Sequence, residues 1–313
     1  MDFKNFISPS TGHRFEYKNN TLETKIGETI EIIKKIPRFS PNTDYTSAFG
    51  RQWKIYRQVQ LDSKNGTKLS EDRVKIALGK PLSSIKGLKI IEAGSGAGRF
   101  TEILLKYGAK VYSFDLSEAV EANFKNNSGH ENLTIFQADI EKIPFKDNFF
   151  DISLCLGVMQ HTPDTTKSLA ELSRVTKKNG MILFDHYQKH PGQYLSLYLV
   201  YWFVIKNLPG SIQHKVTSSL TKFFFPIHWF FRKNTLVQFL LRRISPISFY
   251  YGLFDLSKKQ HYEISLLDTH DKNTDHFKRM VTEKKLYKII SKFDFTSFKI
   301  FKGGTGLQCI IIK

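Results

Sequence analysis

The chain has 313 residues, of which 41% are hydrophobic and 24% are charged, a composition typical of a globular protein and not of a disordered one. Its formal net charge of +18 indicates an anionic partner, such as nucleic acid, a phospholipid surface or a phosphorylated substrate, or else a biased genome composition. The N-terminus lacks the apolar stretch of a secretory signal, and the longest apolar run, Tyr194–Ile205, is shorter than the roughly 20 residues that span a bilayer. We therefore expect a cytoplasmic protein.

The first 80 residues mix aromatic with polar residues and show no regular strand alternation. We predict that residues 1–80 form a helical extension. From residue 81 the pattern changes to buried strands that alternate with helical segments, and it returns at 282–313 with a helix and two strands joined at a Gly-rich turn. The strands are predicted in LKIIEA, GAKVYSFD, NLTIFQ, FFDISLC and GMILFDHYQ, and the helices at 98–107, 117–127 and 165–177. This alternation predicts an α/β core, residues 81–188 and 282–313, whose sheet is mostly parallel with helices on both faces.

Residues 189–281 differ in character from the predicted core. Between Gln188 and Phe254 the sequence has no Asp or Glu but many Lys, Arg and aromatic residues, as in KFFFPIHWFFRKN. We predict a mostly helical insertion. Because basic residues beside Trp and Phe suit an anionic interface, a peripheral position at the inner membrane surface is a further expectation.

Three glycines, Gly94, Gly96 and Gly98, lie directly after the first predicted strand and at the start of a helix. Glycine permits positive φ and lets backbone N–H groups approach a ligand, and a helix N-terminus adds a partial positive charge. The dinucleotide fingerprint G-x-G-x-x-G would need glycine at position 99, where the chain has Arg99. The observed G-x-G-x-G pattern therefore disfavours a nicotinamide-dependent oxidoreductase.

This glycine pattern, with Glu92 before it and the acids Asp115 and Asp139 after the next two strands, resembles the class I S-adenosylmethionine (SAM) methyltransferases. The resemblance covers residues 85–188 and 282–313. It implies a seven-stranded sheet of order 3-2-1-4-5-7-6, SAM as the cofactor, ribose binding by the first acid, and adenine binding by the second acid with the next backbone N–H. The cofactor-binding residues that it implies are Glu92, Gly94, Ser95, Gly96, Gly98, Arg99, Asp115, Leu116, Asp139, Ile140, Gly157 and Trp53.

The flanking segments are also similar to parts of bacterial methyltransferases that act on small molecules or saccharides. The N-terminal residues resemble a zinc-ribbon-like segment in which Ser8 and Thr11 replace the two cysteines, so we expect no metal. The remaining Cys155 and Cys309 lie in apolar runs and are interpreted as buried thiols. Tyr45 and Phe49, with Trp53, are implied to form a lid over the cofactor, and the insertion is implied to cap the substrate. The candidates for substrate binding are Tyr194, Tyr198, Trp229 and Arg232.

Methyl transfer from a sulfonium needs alignment above all, and a base only where the acceptor must lose a proton. Candidates for that base are His161, after the fourth predicted strand, and Asp185, His186 and Tyr187, at the end of the fifth. The acceptor is expected to be a small molecule, a saccharide or a lipid-linked compound. Two alternatives stay open: RNA methylation, although no N/D-P-P-Y/F loop or suitably placed cysteine supports nucleic acid, and a non-catalytic subunit of the same fold.

Overall fold

The computed structural model describes residues 3–41, 50, 53, 55–190, 196–252 and 256–313. The chain divides into two compact units, residues 1–188 with 279–313, and residues 189–278. The first unit combines the N-terminal residues with both parts of the predicted core. The second unit corresponds to the predicted insertion, except that it ends at 278 instead of 281.

The N-terminal residues form an antiparallel sheet where the sequence analysis predicted helices. Its four strands, in chain order, are β1 (Phe15–Lys18), β2 (Thr21–Thr24), β3 (Thr29–Ile33) and β4 (Ile36–Pro37). The helical prediction was wrong here because the strands are very short and two of their three turns carry no glycine, the exception being Gly27 between β2 and β3. Two-residue turns at Asn19-Asn20 and Lys34-Lys35 have positive φ at both positions, the backbone of a type I′ hairpin. Helical residues follow at Gly50, Trp53 and Ile55, and complete helices are described from residue 62 onward, so the helical prediction holds for the later part of residues 1–80.

Aromatic packing joins this N-terminal sheet to the rest of the first unit. Phe6 has no exposed surface, and its ring centroid lies 5.0 Å from that of Phe39, 5.2 Å from that of Phe136 and 4.9 Å from that of Phe145. The backbone N–H of Phe39 also donates to the carbonyl of Gln137 at 2.8 Å. The N-terminal residues therefore share a core with the central sheet and belong to the same folded unit.

The central sheet has seven strands, and its predicted α/β class is confirmed. They are β5 (Lys89–Ala93), β6 (Lys110–Asp115), β7 (Leu133–Gln137), β8 (Phe150–Cys155), β9 (Thr176–Tyr187), β10 (Ser297–Gly303) and β11 (Gly306–Ile312). Across the sheet they follow the order β7-β6-β5-β8-β9-β11-β10, which reads 3-2-1-4-5-7-6 when the strands are counted within this sheet alone. The sheet is mixed, because β11 runs antiparallel to both of its neighbours while the other four pairs are parallel.

The helices of the described residues are, in chain order, α1 (Asp62–Asn65), α2 (Leu69–Leu78), α3 (Arg99–Lys106), α4 (Ala119–Asn127), α5 (Thr165–Val175), α6 (Tyr198–Lys206), α7 (Gly210–Phe230), α8 (Thr235–Ile244), α9 (Lys258–Thr274) and α10 (Glu283–Ile290). Alternate strand residues point to opposite faces of the central sheet. Ile90 and Val111 pack with α2 and α3 in one core, and Ile91 and Tyr112 pack with α5 and α10 in the other. Cys155 and Cys309 are buried free thiols, as predicted.

The second unit is built from α6 to α9. Its apolar core is small and centres on Phe225, Ile247 and Phe249. Much of its interior is polar, since Gln213, Thr217, Thr221 and His228 occupy the buried face of α7. None of the described helices is both long and apolar enough to cross a bilayer.

Candidate cofactor site

The glycine loop between β5 and α3 is held in a left-handed backbone by its surroundings. Gly94, Gly96 and Gly98 have φ of 72°, 53° and 86°. A Cβ at Gly94 would overlap the side chain of Val158, and one at Gly98 would overlap the carboxamide of Asn123. A Cβ at Gly96 would lie 2.9 Å from the indole of Trp53. Protein packing thus requires the first and third glycines, while the indole of Trp53 lies against the second.

A buried network of hydrogen bonds supports the loop from below. Thr101 Oγ1 donates to Glu92 Oε2 at 2.5 Å, and Ser113 Oγ donates to the same oxygen at 2.8 Å. The Asn123 amide donates to both hydroxyl groups at 2.9 Å. The Asn127 amide donates to the Gly98 carbonyl at 3.0 Å and to Asn123 Oδ1 at 2.9 Å.

The sequence analysis missed this network. Its signal was available, because asparagines four residues apart on a helix share one face, and here that face is buried.

Two buried polar atoms at the loop are available to a ligand. Glu92 is 2% exposed, and burial raises the pKa of its carboxyl group to about 7. Its Oε1 has no hydrogen-bond partner among the described residues, and neither has Ser95 Oγ. Buried polar atoms normally have partners, so these two indicate a place where a bound polar group completes the hydrogen bonding.

The acids that follow β6 and β7 lie where the sequence analysis placed them. Asp115 Oδ2 accepts from the backbone N–H of Gly96 at 3.0 Å, and its Oδ1 accepts from the backbone and side chain of Ser117 at 2.9 and 2.7 Å. Burial raises the pKa of Asp115. Asp139 Oδ1 accepts from the backbone N–H of Glu141 at 2.9 Å. Asp115 is therefore part of the glycine loop, and each carboxylate retains lone pairs for further donors.

The N-terminal segment reaches this edge of the sheet through Arg38. Its guanidinium donates to Gln137 Oε1 at 2.9 Å and to Glu121 Oε1 at 3.1 Å. Gln137 in turn donates to the carbonyl of Leu116 at 2.8 Å, directly after Asp115. Arg38 therefore holds the loop that carries two of the predicted cofactor residues, which the sequence pattern did not indicate.

The predicted bases at the end of β9 occupy different environments. His186 has no exposed surface, its Nε2 lies 3.3 Å from Thr165 Oγ1, and burial lowers its pKa to about 4. A base must reach the proton that it removes, so burial removes His186 from the candidates. His161 is partly exposed, and its ring centroid lies 5.5 Å from that of Tyr187 in an edge-on contact.

Asp185 is fully buried and holds two other segments in place. It forms an ion pair with Arg73 of α2, and it accepts from the backbone N–H of Gly157 at 2.5 Å. Gly157 has φ of 78° and lies in the loop after β8. Asp185 is thus a positioning group and not an available base, and Arg73 was missed by the sequence analysis because 112 residues separate the two partners.

Of the predicted substrate residues, Tyr198, Trp229 and Arg232 lie in the second unit. Tyr194 lies outside the described residues, and so do the predicted lid residues Tyr45 and Phe49. Tyr198 is buried, and its hydroxyl donates to the carbonyl of Lys272 at 2.9 Å. The Arg232 guanidinium lies 4.7 Å from the Trp229 ring and donates to the Trp229 carbonyl at 2.9 Å. These contacts show packing within the second unit and assign no substrate role.

Ser8 and Thr11 lie in a turn of the N-terminal segment that resembles a zinc ribbon. Ser8 Oγ accepts from the backbone N–H groups of Ser10 and Thr11 at 3.2 and 3.1 Å. In the part of the chain that the structure describes, no group of three His, Cys, Asp or Glu side chains could hold a metal ion.

Comparisons with known proteins match the part of the chain that carries this loop. Residues 91–184 match the family model of the methyltransferase domain. A ubiquinone biosynthesis O-methyltransferase of Coxiella burnetii is 29% identical over 128 residues, which are 40% of this chain and 55% of that protein. An uncharacterized methyltransferase of Bacillus subtilis, YcgJ, is 31% identical over 32% of this chain and 41% of its own length. The chain spans about half the length of the curated relatives that it matches.

Among solved structures, a SAM-dependent methyltransferase from Aquifex aeolicus aligns with a TM-score of 0.44 and 14% identity, over 84% of this chain and 97% of that one. The residues that match the methyltransferase domain, 91–184, include the glycine loop and the acids that follow it.

Proposed function

We propose that the chain is an active SAM-dependent methyltransferase that transfers a methyl group to a small-molecule acceptor. The observation that carries this proposal is the glycine loop, where Glu92 Oε1 and Ser95 Oγ are buried without partners beside the Asp115 carboxylate. These groups fit a cofactor with an ammonium group, hydroxyl groups and a carboxylate. When bound, SAM supplies a methyl group that its sulfonium already activates.

The chain's own residues would hold the cofactor from several strands. Asp115 would accept hydrogen bonds from the ribose hydroxyls, and Asp139 with the Ile140 N–H would bind the adenine edge, as the family resemblance implies. Trp53 would exclude water above Gly96, against which its indole lies. The remaining residues proposed for the site are Glu92, Gly94, Ser95, Gly98, Arg99, Leu116 and Gly157.

His161 and Tyr187 stay the candidates for a general base, because His186 and Asp185 are buried. A base contributes only if the acceptor loses a proton during transfer. The pH profile of kcat for His161→Ala decides this point. A profile equal to that of the wild type would remove His161 from the mechanism.

The Asp115→Ala variant tests the cofactor site. Each hydrogen bond to a charged group contributes about 1.5–3 kcal/mol, so loss of one or two such bonds should weaken SAM binding by roughly 10- to 1,000-fold. Isothermal titration calorimetry measures this change. The matched control is Asp147→Ala, which removes an aspartate whose side chain is 67% exposed and which lies outside the loop. Equal SAM affinity in both variants would refute the assignment of Asp115.

The acceptor is proposed at the level of its class. Several of the curated relatives are named as ubiquinone biosynthesis O-methyltransferases, which supports a small-molecule acceptor for this chain. A saccharide or a lipid-linked acceptor, capping of the substrate by residues 189–281, a cytoplasmic location and a membrane-surface partner stay proposals as well. Assays of the purified chain with matched quinol, saccharide and lipid-linked acceptors distinguish the three classes of acceptor, because only the true class should give methylated product.

A further inference from the structure

Exposed large hydrophobic side chains are concentrated in one part of the second unit. Of the eighteen such residues described, twelve lie between positions 197 and 244: Leu197, Val200, Phe203, Val204, Ile212, Phe223, Phe230, Phe231, Leu236, Phe239, Leu240 and Ile244. We call these twelve residues the apolar surface. The most exposed of them, Phe230, has 77% of its surface accessible. Proteins rarely expose extended apolar regions without a partner for them.

The exposed apolar residues follow helical spacing. In α8, Leu236, Leu240 and Ile244 recur every four residues and are exposed, while Gln238 on another face is buried. In α6, Val200, Phe203 and Val204 form an exposed group in the same way. α8 thus exposes several apolar residues while it buries Gln238 and Leu241, and α6 is apolar on its exposed as well as its buried side, where Tyr198 and Ile205 lie. Neither helix directs its apolar residues only toward a protein core.

Hydrogen bonds stabilise this reversed arrangement from inside. Thr217 Oγ1 lies 3.0 Å from His270 Nδ1, which joins α7 to α9. His228 Nδ1 lies 2.9 Å from Gln238 Oε1, which joins α7 to α8. Because the polar residues are bonded to one another, the helices cannot turn their apolar faces inward without breaking these bonds. The apolar surface is therefore fixed by the fold of this unit.

The charge of the same region indicates which class of partner binds the apolar surface. Residues 188–254 contain no acid and eight Lys or Arg residues. Some of these cations lie beside aromatic rings: Lys206 Nζ is 3.7 Å from the Trp202 centroid, and the Arg243 guanidinium is 4.3 Å from that of Phe239. A second copy of the chain would bring like charges together, and a single-stranded RNA would leave aliphatic residues such as Leu236 and Leu240 without a role.

We propose that the apolar surface lies on an anionic lipid bilayer, with its Phe, Leu, Ile and Val side chains at the boundary of headgroups and acyl chains. The neighbouring Lys and Arg side chains would contact lipid phosphates. Helices of this kind lie in the interface and do not cross it, which agrees with their length and hydropathy. The proposal rests on the second unit alone and holds whether or not the first unit transfers methyl groups.

Flotation of the full chain with vesicles tests this proposal. We expect binding to vesicles of equal parts phosphatidylcholine and phosphatidylglycerol, and little binding to phosphatidylcholine alone. The triple variant Phe223→Ser/Phe230→Ser/Phe239→Ser should weaken binding roughly tenfold or more, because each side chain loses its insertion into the interface. Lys215→Glu/Lys222→Glu should weaken it by a similar factor, since each cation near an anionic surface contributes about 1 kcal/mol.

The control variants carry substitutions of the same kinds, apolar to serine and lysine to glutamate, on the first unit. Ile26→Ser/Tyr287→Ser removes two exposed apolar residues, and Lys284→Glu/Lys288→Glu makes the same change of charge on α10. Both controls should bind the vesicles like the wild type. If the triple variant also binds like the wild type, or if the wild type does not distinguish the two vesicle compositions, the proposal is wrong.

Two further readouts separate other occupants of the apolar surface. If the triple variant abolishes a dimer seen by analytical ultracentrifugation and leaves vesicle binding unchanged, the partner is a second copy. If it abolishes methyl transfer in the absence of lipid and leaves vesicle binding unchanged, the surface covers the acceptor. SAM affinity, measured on the same samples, reports separately on the function proposed for the first unit.

Discussion

The two units of the chain distribute polar and apolar side chains in opposite ways. In the first unit, strands such as β5 and β6 place apolar residues on both faces of the sheet, and buried polar groups such as Glu92 and Asp185 serve the glycine loop and the loop after β8. In the second, α7 buries glutamine and threonine while α8 exposes leucine and phenylalanine. A hydrophobic pattern therefore identifies a helix equally well in both units, but it predicts the buried face only in the first.

The two units therefore depend on different interactions for their stability. The first unit buries large apolar areas on two faces of a sheet. This burial offsets the free-energy cost of the few buried polar groups that hold its loops in place. The second unit has a small apolar core around Phe225 and relies more on hydrogen bonds between helices. Each of the following predictions tests one side of this contrast, in order of decreasing effect.

Asp185→Ala should cause the largest loss of stability, about 3–5 kcal/mol in the free energy of unfolding, because it leaves the Arg73 guanidinium without its buried partner. Urea unfolding followed by circular dichroism measures the change. The control is Asp147→Ala, whose side chain pairs with Arg174 at the surface and should contribute no more than about 1 kcal/mol. Similar losses in the two variants would show that the Arg73–Asp185 pair has no special role.

Two phenylalanines of α7 test the reversed pattern of the second unit. Phe225 is 3% exposed and Phe223 is 66% exposed. Phe225→Ala should cost about 3–4 kcal/mol, whereas Phe223→Ala should change stability by no more than about 0.5 kcal/mol. The fluorescence of Trp202 and Trp229, in a Trp53→Phe background, follows unfolding of this unit. A larger loss for Phe223→Ala than for Phe225→Ala would mean that the buried face of α7 has been assigned wrongly.

Glu92 predicts a pH dependence that belongs to the first unit. Its pKa of about 7 in the folded chain is above the ordinary value of 4.5, so the folded state holds a proton that the unfolded state has released. Stability is therefore lost as the pH rises from about 4.5 to about 7, and Glu92→Gln should be more stable than the wild type above that range by roughly 2–3 kcal/mol. Near pH 4.5 the two proteins should be equally stable.

Urea unfolding of the wild type and Glu92→Gln at about pH 5 and pH 8 tests this dependence. Glu131→Gln, at an exposed position, removes the same charge and serves as the control. If Glu92→Gln differs in stability from the wild type by the same amount at both pH values, ionisation of Glu92 does not cause the pH dependence.

The sequence predicted those features that depend on local spacing. Gly94, Gly96 and Gly98 come after one strand, Asp115 ends the next and Asp139 follows the third, so chain order alone brings them to one edge of a parallel sheet. The helices α3, α4 and α5 were predicted within two residues of their observed ends, because their apolar residues recur at helical spacing.

Other features depend on contacts that spacing does not record. The Arg73–Asp185 pair joins residues far apart in the chain, and the burial of His186 results from packing against α5. The N-terminal hairpins were missed because their turns use Asn19-Asn20 and Lys34-Lys35 in a backbone that glycine usually adopts. The extent of the apolar surface was not predicted, since a pattern of phenylalanines does not reveal which of them are exposed.

The position of β11 has a consequence for biosynthesis. This strand pairs with β9 on one side and β10 on the other, although it leaves the ribosome after both. Its first residue follows the last residue of β9 by about 120 positions. At about 5–20 residues per second, the edge of β9 stays without its partner for roughly 6–24 seconds during translation. All of the second unit is made in that interval, so it can fold first, while the nascent sheet presents an open edge that a chaperone could protect.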